Sequence, residues 1–194
     1  MLAIRCGREK SDLSKLHPDW TVAIGRHVPI ETREVGPSLP CRFGSEVMLV
    51  QTTRFGQIDA QQEQVLVFPQ GLIGFEACRH WLIVPDPHNT DVAWLQSMSQ
   101  MQVALPMVSP RKFAPEYRVT IPRRQLSLLN LRSSDRVYVM SVVSKSGKTL
   151  TANLRSPVVI NLTKCIACQV ITSDAQPLAL PLSLSSTPAL RMAA

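Results

Sequence analysis

The chain has 194 residues, of which 45% are hydrophobic and only 5% aromatic, with 15 prolines, 5 cysteines and a formal net charge of +7. So many prolines argue against a helix bundle, because a proline inside a helix removes a hydrogen bond and clashes with the preceding turn. The sequence has no apolar run of about 18 residues, no secretory signal pattern and no even-numbered cysteine framework, so we expect a cytoplasmic protein without membrane contacts or disulfides.

The sequence divides into three parts. Residues 1–47 keep no period of 2 or 3.6 for more than a few positions and contain a proline-rich linker, so we predict a weakly ordered N-terminal extension. Residues 48–182 are predicted to form the folded domain, and residues 183–194 have the composition of a flexible C-terminal tail. Residues 48–194 carry 14 Lys/Arg against 8 Asp/Glu, so the positive charge lies outside the extension.

Short apolar runs separated by Pro, Gly, Asn and Asp fill residues 48–182, a spacing typical of an all-β sandwich or barrel. Pro106 lies inside one run, so we expect that strand at an edge or bend, where a partner segment can add as a further strand. Residues 137–143 are apolar on both faces and are predicted to form a central, buried strand. A hairpin turn is predicted at 145–148 and a short helix at 122–131. The predicted strands are 48–53, 65–68, 81–84, 92–95, 102–108, 116–121, 137–143, 149–155, 157–162 and 168–172.

Cys165 and Cys168 form a CxxC pair, a spacing that can hold zinc or exchange thiols. A structural zinc needs four ligands, and the other candidate cluster, Cys78 with His80, lies on a different segment. A regular strand would also direct Cys165 and Cys168 to opposite faces. We therefore interpret these cysteines as unrelated buried or turn thiols, and predict no metal and no cofactor.

The sequence contains no recognisable catalytic arrangement. The four histidines are scattered, and the acids of residues 48–194 are spread over surface-like positions and turns. Gly71 and Gly74 lack the Gly-Lys-Ser/Thr continuation of a phosphate loop, so we interpret them as a tight reversal between Phe68 and Phe75. We predict that the protein has no catalytic residue and is not an enzyme.

The basic residues leave an alternative open, an RNA-binding β-barrel with a basic surface. They occur in small groups that folding can bring together: Arg111-Lys112, Arg123-Arg124, and Arg132 with Arg136. An RNA-binding barrel also needs exposed aromatic side chains for base stacking. Phe68, Trp81 and Trp94 lie within apolar runs, which indicates core packing, so we expect no direct nucleic-acid binding.

Several segments together resemble the flagellar assembly factor FliW family. In order and spacing, the resemblance rests on TTRFG at 52–56, FPQGLIGFE at 68–76, WLQS at 94–97 and ANLRSPVVIN at 152–161. It runs from Met48 to about Leu182. The resemblance implies an all-β fold, a small, partly open antiparallel β-barrel of about ten short strands with one or two short helical turns.

The resemblance also implies a function. Family members are expected to bind newly made flagellin in the bacterial cytoplasm and to bind the translational repressor CsrA, relieving its repression of flagellin synthesis. A switch of this kind requires differential binding and no bond chemistry. The residues of the shared motifs predicted to contact partners are Pro69, Gly71, Gly74, Phe75, Asn153, Arg155 and Asn161.

Overall fold

The computed structural model describes residues 3–6, 9–12 and 47–183. Strands dominate these residues, and the helices are single turns. The strands are β1 (Ala3–Cys6), β2 (Glu9–Asp12), β3 (Val47–Thr52), β4 (Gly56–Gln61), β5 (Leu66–Val67), β6 (His80–Pro85), β7 (Val92–Ser97), β8 (Ala104–Val108), β9 (Val137–Ser146), β10 (Thr149–Ala152), β11 (Val158–Asn161), β12 (Ile166–Gln169) and β13 (Leu180–Pro181). The helices are α1 (Pro110–Phe113) and α2 (Arg123–Leu126), with 3₁₀ turns at Gln62–Gln64 and Ser127–Leu129.

Seven strands pair into a ring-like sheet. From the long strand β9, the pairing runs through β8, β7, β6, β5, β12 and β11 and returns to β9. Each pair in this ring is antiparallel except β5 with β12, which is parallel. The predicted all-β fold of short strands with one or two helical turns is confirmed, and its barrel takes the form of this ring-like sheet.

β9 connects the two parts of the sheet. Its residues 137–140 pair with β11, and its residues 143–146 pair with β10, which in turn pairs with β13. Side chains on both faces of its first half are buried or half-buried, as the sequence predicted. The predicted hairpin turn follows, because Gly147 has a φ of +60° and lies directly after Ser146, which pairs with Thr149.

Two tryptophans fill the core, both buried. Trp81 packs edge-to-face on Phe68 and Phe75, with ring centroids 6.1 and 6.3 Å away. Each indole N–H also has a partner: Trp81 Nε1 donates to the Cys78 carbonyl, and Trp94 Nε1 donates to Asp86 Oδ2. The few aromatic residues of the domain therefore serve mainly to pack its interior.

The predicted strand at 116–121 is wrong. Its alternation of apolar and polar residues is real, since Tyr117 is buried, but the described residues offer it no strand partner. Its backbone bonds to side chains instead, with Asp174 accepting from the Thr120 N–H and Gln176 donating to the Arg118 carbonyl. Within this segment the Tyr117 side chain is buried. Its hydroxyl donates to the Leu154 carbonyl, and burial raises the pKa of this phenol.

The structure adds a strand that the sequence did not predict. β4 (Gly56–Gln61) has only Ile58 and Ala60 as apolar side chains, a weak signal, yet it pairs with β3 along its whole length. β1 and β2 extend this pair into a four-stranded sheet. Most of the predicted N-terminal extension, and residues 184–194 of the predicted tail, lie outside the described residues. Among the described helices, none is long and apolar enough to cross a membrane.

Candidate partner-binding site

A groove of about 560 Å³ opens on the surface between β8 and β9. We call it the β8–β9 groove. Most of its lining is apolar, and it joins segments far apart in the sequence: the 68–76 loop, β8, β9, the turn after β10 and the residues after β12. The residues that line it include Ile73, Leu105, Asn153, Arg155, Ile171 and Leu178.

Pro106 explains why the sheet opens here. β8 and β9 pair through Met107 with Val142 and through Val108 with Ser141. One step further in this register would set Pro106 opposite Val143, but proline has no backbone N–H to donate. Pairing stops there, and residues on both sides of the gap line the groove. The expectation of an edge or bend at Pro106 is confirmed, because β7 is the only described strand that pairs with this stretch of β8.

The 68–76 loop forms one wall of the groove. Phe68 and Leu72 are buried and fix the loop to the core, whereas Ile73 points outward with 62% of its surface exposed. Gln169 ties this loop to the opposite wall: its Oε1 accepts from the Ile73 N–H at 2.9 Å, and its Nε2 donates to the Ser156 carbonyl. The tight reversal predicted at the motif glycines therefore places Ile73 on the surface of the loop.

The opposite wall is a turn built by Asn153. Asn153 Oδ1 accepts from the backbone N–H groups of Arg155 and Ser156, both at 3.0 Å. On the other side, the Arg155 carbonyl accepts from the backbone N–H and the hydroxyl of Thr172. Arg155 itself is exposed, and Ser156 beside it is buried, with a hydroxyl that lacks a hydrogen-bond partner within the described residues.

The structure divides the seven predicted contact residues into three groups. Phe75, Asn153 and Arg155 line the groove. Pro69, Gly71 and Gly74 lie in the loop that forms its wall but do not line it, and both glycines have positive φ angles. Asn161 lies elsewhere, fully buried at the end of β11. Whether any of them contacts a partner stays a prediction.

Asn161 is bonded to the protein through both ends of its amide. Its Nδ2 donates to the Leu129 carbonyl and to Asp135 Oδ2, and its Oδ1 accepts from the N–H groups of Thr163 and Lys164. Burial works to raise the pKa of Asp135, but hydrogen bonds from the Arg132 N–H, Asn161 and Lys164 outweigh it and hold that pKa below its usual value. This network favours a structural role for Asn161.

The residues that sequence reasoning missed are the aliphatic ones on the groove rim. Ile73, Ile171 and Leu178 are 62%, 56% and 60% exposed, and all three line the groove. Each belongs to a run that, in sequence, looks the same as a core-forming run. These residues differ from core residues in their exposure, which depends on the fold and cannot be seen in the local composition.

A second surface, with both apolar and polar side chains, lies on the edge of the smaller sheet. It is formed by Met48 and Leu49 of β3 with Met98 and Met101 of the loop after β7, and it shares no lining residue with the β8–β9 groove. Leu49 and Met101 are 62% and 55% exposed. We call it the methionine surface.

The three cysteines whose side chains are described, Cys78, Cys165 and Cys168, show no arrangement for metal or redox chemistry. Cys165 has a φ of +52° in a turn and donates to the Glu63 carbonyl, while Cys168 is buried and donates to the Gln125 carbonyl. Burial raises the pKa of both thiols, that of Cys168 to about 11, so the reactive thiolate form is disfavoured at neutral pH. The described residues hold no group of three or more metal-ligating side chains.

The aromatic residues of the described part of the chain offer few exposed rings to a nucleic acid. Every aromatic side chain in residues 47–183 is buried or half-buried. One of the basic groups is also partly engaged, since Lys112 forms an ion pair with Asp91 at 3.0 Å. A base-stacking platform on a strand face is therefore missing from the described surface.

The chain is similar to known proteins both in sequence and in fold. The family model described as FliW protein matches residues 49–182. The flagellar assembly factor FliW of Bdellovibrio bacteriovorus is 36% identical over 129 residues, covering 66% of this chain and 74% of that protein. That of Lachnoclostridium phytofermentans is 30% identical over 132 residues, covering 66% and 85%. A crystal structure of the flagellar assembly factor FliW superposes with a TM-score of 0.63 at 22% identity, covering 70% of this chain and 95% of that one, which supports the fold.

Proposed function

The chain belongs to the FliW family, and from this premise we propose that it is a cytoplasmic flagellar assembly factor that binds flagellin and the translational repressor CsrA. Free flagellin occupies the protein. After flagellin is exported, the vacated protein binds CsrA and relieves the repression of flagellin synthesis. The cycle needs two binding equilibria and no catalytic step.

The β8–β9 groove is the observation that carries this proposal. Three aliphatic side chains, each more than half exposed, surround a recess with an apolar lining. Exposed apolar surface of this kind is costly in water and marks sites where a protein partner binds. The groove is formed by two of the motifs through which the chain resembles its family, at 68–76 and 152–161.

Ile171→Asp is expected to weaken flagellin binding by at least about 10-fold, because a carboxylate on the rim must be desolvated when an apolar partner docks. Isothermal titration of the purified full chain with flagellin monomer measures the change. Met101→Asp is the matched control, since Met101 is equally exposed but lies on the methionine surface. Equal losses in both variants would show that flagellin does not use the groove.

Flagellin and CsrA are expected to exclude each other on this protein. Saturation with flagellin should lower the amount of CsrA bound by at least about 10-fold, since the cycle requires one partner to displace the other. Size-exclusion chromatography of the three purified proteins measures this directly. A stable ternary complex contradicts the cycle. If the protein binds neither partner but shifts RNA with a steep salt dependence, the RNA-binding alternative replaces the proposal.

A further inference from the structure

We propose that the β8–β9 groove selects a partner segment that is both apolar and acidic, with a carboxylate of the segment pairing with Arg155 and its aliphatic side chains packing against Ile73, Ile171 and Leu178. This inference rests on the proposed function, because it takes the groove to be a protein-binding site. It adds the chemistry by which the groove recognises its occupant.

Charge complementarity identifies the occupant. Among the residues that the structure describes, Arg155 is the only charged one that lines the groove, and none that lines it is acidic. In residues 47–183 its guanidinium has neither an ion pair nor a hydrogen bond, so it is available to a partner. A guanidinium offers a planar fork that fits a carboxylate, and beside an apolar surface this pair is shielded from water. A basic segment would be repelled at the same position.

The backbone of Arg155 is fixed from both sides. Asn153 holds its N–H, and the Thr172 backbone N–H and hydroxyl hold its carbonyl at 3.0 and 3.2 Å. A side chain that starts from a fixed backbone loses less conformational freedom when it binds, so it contributes more to affinity and specificity.

The aliphatic rim complements this single charge. Ile73 comes from the 68–76 loop, and Ile171 and Leu178 come from the residues after β12. The Gln169 side chain bonds the 68–76 loop to the wall that carries Arg155. Hydrogen bonds therefore connect the turn that carries Arg155 with the loop that carries Ile73. A segment that satisfies only the charge or only the apolar rim, a purely acidic or a purely apolar one, would leave the other half of the site unused.

Selection of random peptides displayed on phage against the immobilised full chain tests the proposal. We expect the selected peptides to combine Asp or Glu with Leu, Ile or Phe. A synthetic copy of a selected peptide should bind Arg155→Glu and Ile171→Asp at least about 10-fold more weakly than the wild type. Lys148→Glu is the control for net charge, because Lys148 is exposed at the β9–β10 hairpin, outside the groove, and should keep affinity within about twofold.

Basic or uncharged selected peptides, unchanged binding to Arg155→Glu, or an equal loss with Lys148→Glu would each overturn the inference. The selection uses no flagellin, so the two proposals fail separately. If flagellin does not bind the wild type, the proposed function fails even when acidic peptides occupy the groove. If flagellin binds while the selected peptides ignore Arg155, only the selectivity inferred here is wrong.

Discussion

Gly71→Ala is expected to lower the free energy of unfolding by about 3 kcal/mol, through backbone strain and steric overlap together. Gly71 has a φ of +73°, which side-chain-bearing residues rarely adopt. A Cβ built there would lie 2.6 Å from Glu76 Cα and 2.7 Å from the Glu76 carbonyl oxygen. These are backbone atoms, so no side-chain rotation can relieve the contact. Urea unfolding followed by the fluorescence of buried Trp81 and Trp94 measures the loss.

Gly74→Ala is the matched control, three residues away in the same loop. Its φ of +84° is also positive, but a Cβ there would meet no heavy atom within 4 Å. Only the conformational cost remains, about 1 kcal/mol. Equal losses in the two variants would show that the close approach of Gly71 to Glu76 does not contribute to the loss of stability.

The 68–76 loop shows what the sequence could predict. Two glycines three residues apart between phenylalanines indicate a tight reversal with the rings packed inward, and both glycines have positive φ while Phe68 is buried. The interpretation succeeded because turn chemistry is local. The position of β9 could also be predicted, because a run that is apolar on both faces has few positions in a fold other than a central strand.

Segments whose character depends on distant partners were harder to predict. Residues 116–121 alternate like a strand, yet side chains from 174–176 take up part of their backbone hydrogen bonds. Conversely, β4 is polar at most positions and is a strand because β3 pairs with it. Alternation reports which face is buried, whereas a ladder requires a second strand that the local sequence does not contain.

The candidate site was predicted only in part, for the same reason. Asn153 and Arg155 were selected because polar residues in a motif are candidates for contacts, and both line the groove. Ile171 and Leu178 were not selected, because an aliphatic residue in an apolar run is expected in the core. The groove exists because Pro106 ends the pairing of β8 with β9, and a local pattern cannot show which residues then surround the gap.

Asn161→Ala is expected to lower the free energy of unfolding by about 2 to 3 kcal/mol, because it removes one buried and three part-buried hydrogen bonds. The Leu129 carbonyl loses a donor, and the N–H groups of Thr163 and Lys164 lose their common acceptor. Asp135 also loses one of the hydrogen bonds that stabilise its charged form. Urea unfolding measures the change, and the folded variant should bind flagellin with an affinity within about twofold of the wild type, since Asn161 is buried away from the groove.

If the groove is the binding site, Asn153→Ala is expected to reduce flagellin affinity more than it reduces stability. Asn153 also accepts two backbone N–H bonds, but it is only half-buried, so the expected loss of stability is about 1 kcal/mol. Its larger effect should be on flagellin affinity, because the backbone of Arg155 loses one of its two anchors. The two asparagines belong to one motif, 152–161, and make similar bonds. If Asn161→Ala weakened binding more than Asn153→Ala at equal folded fraction, the contact surface would have to lie near the end of β11 and not in the groove.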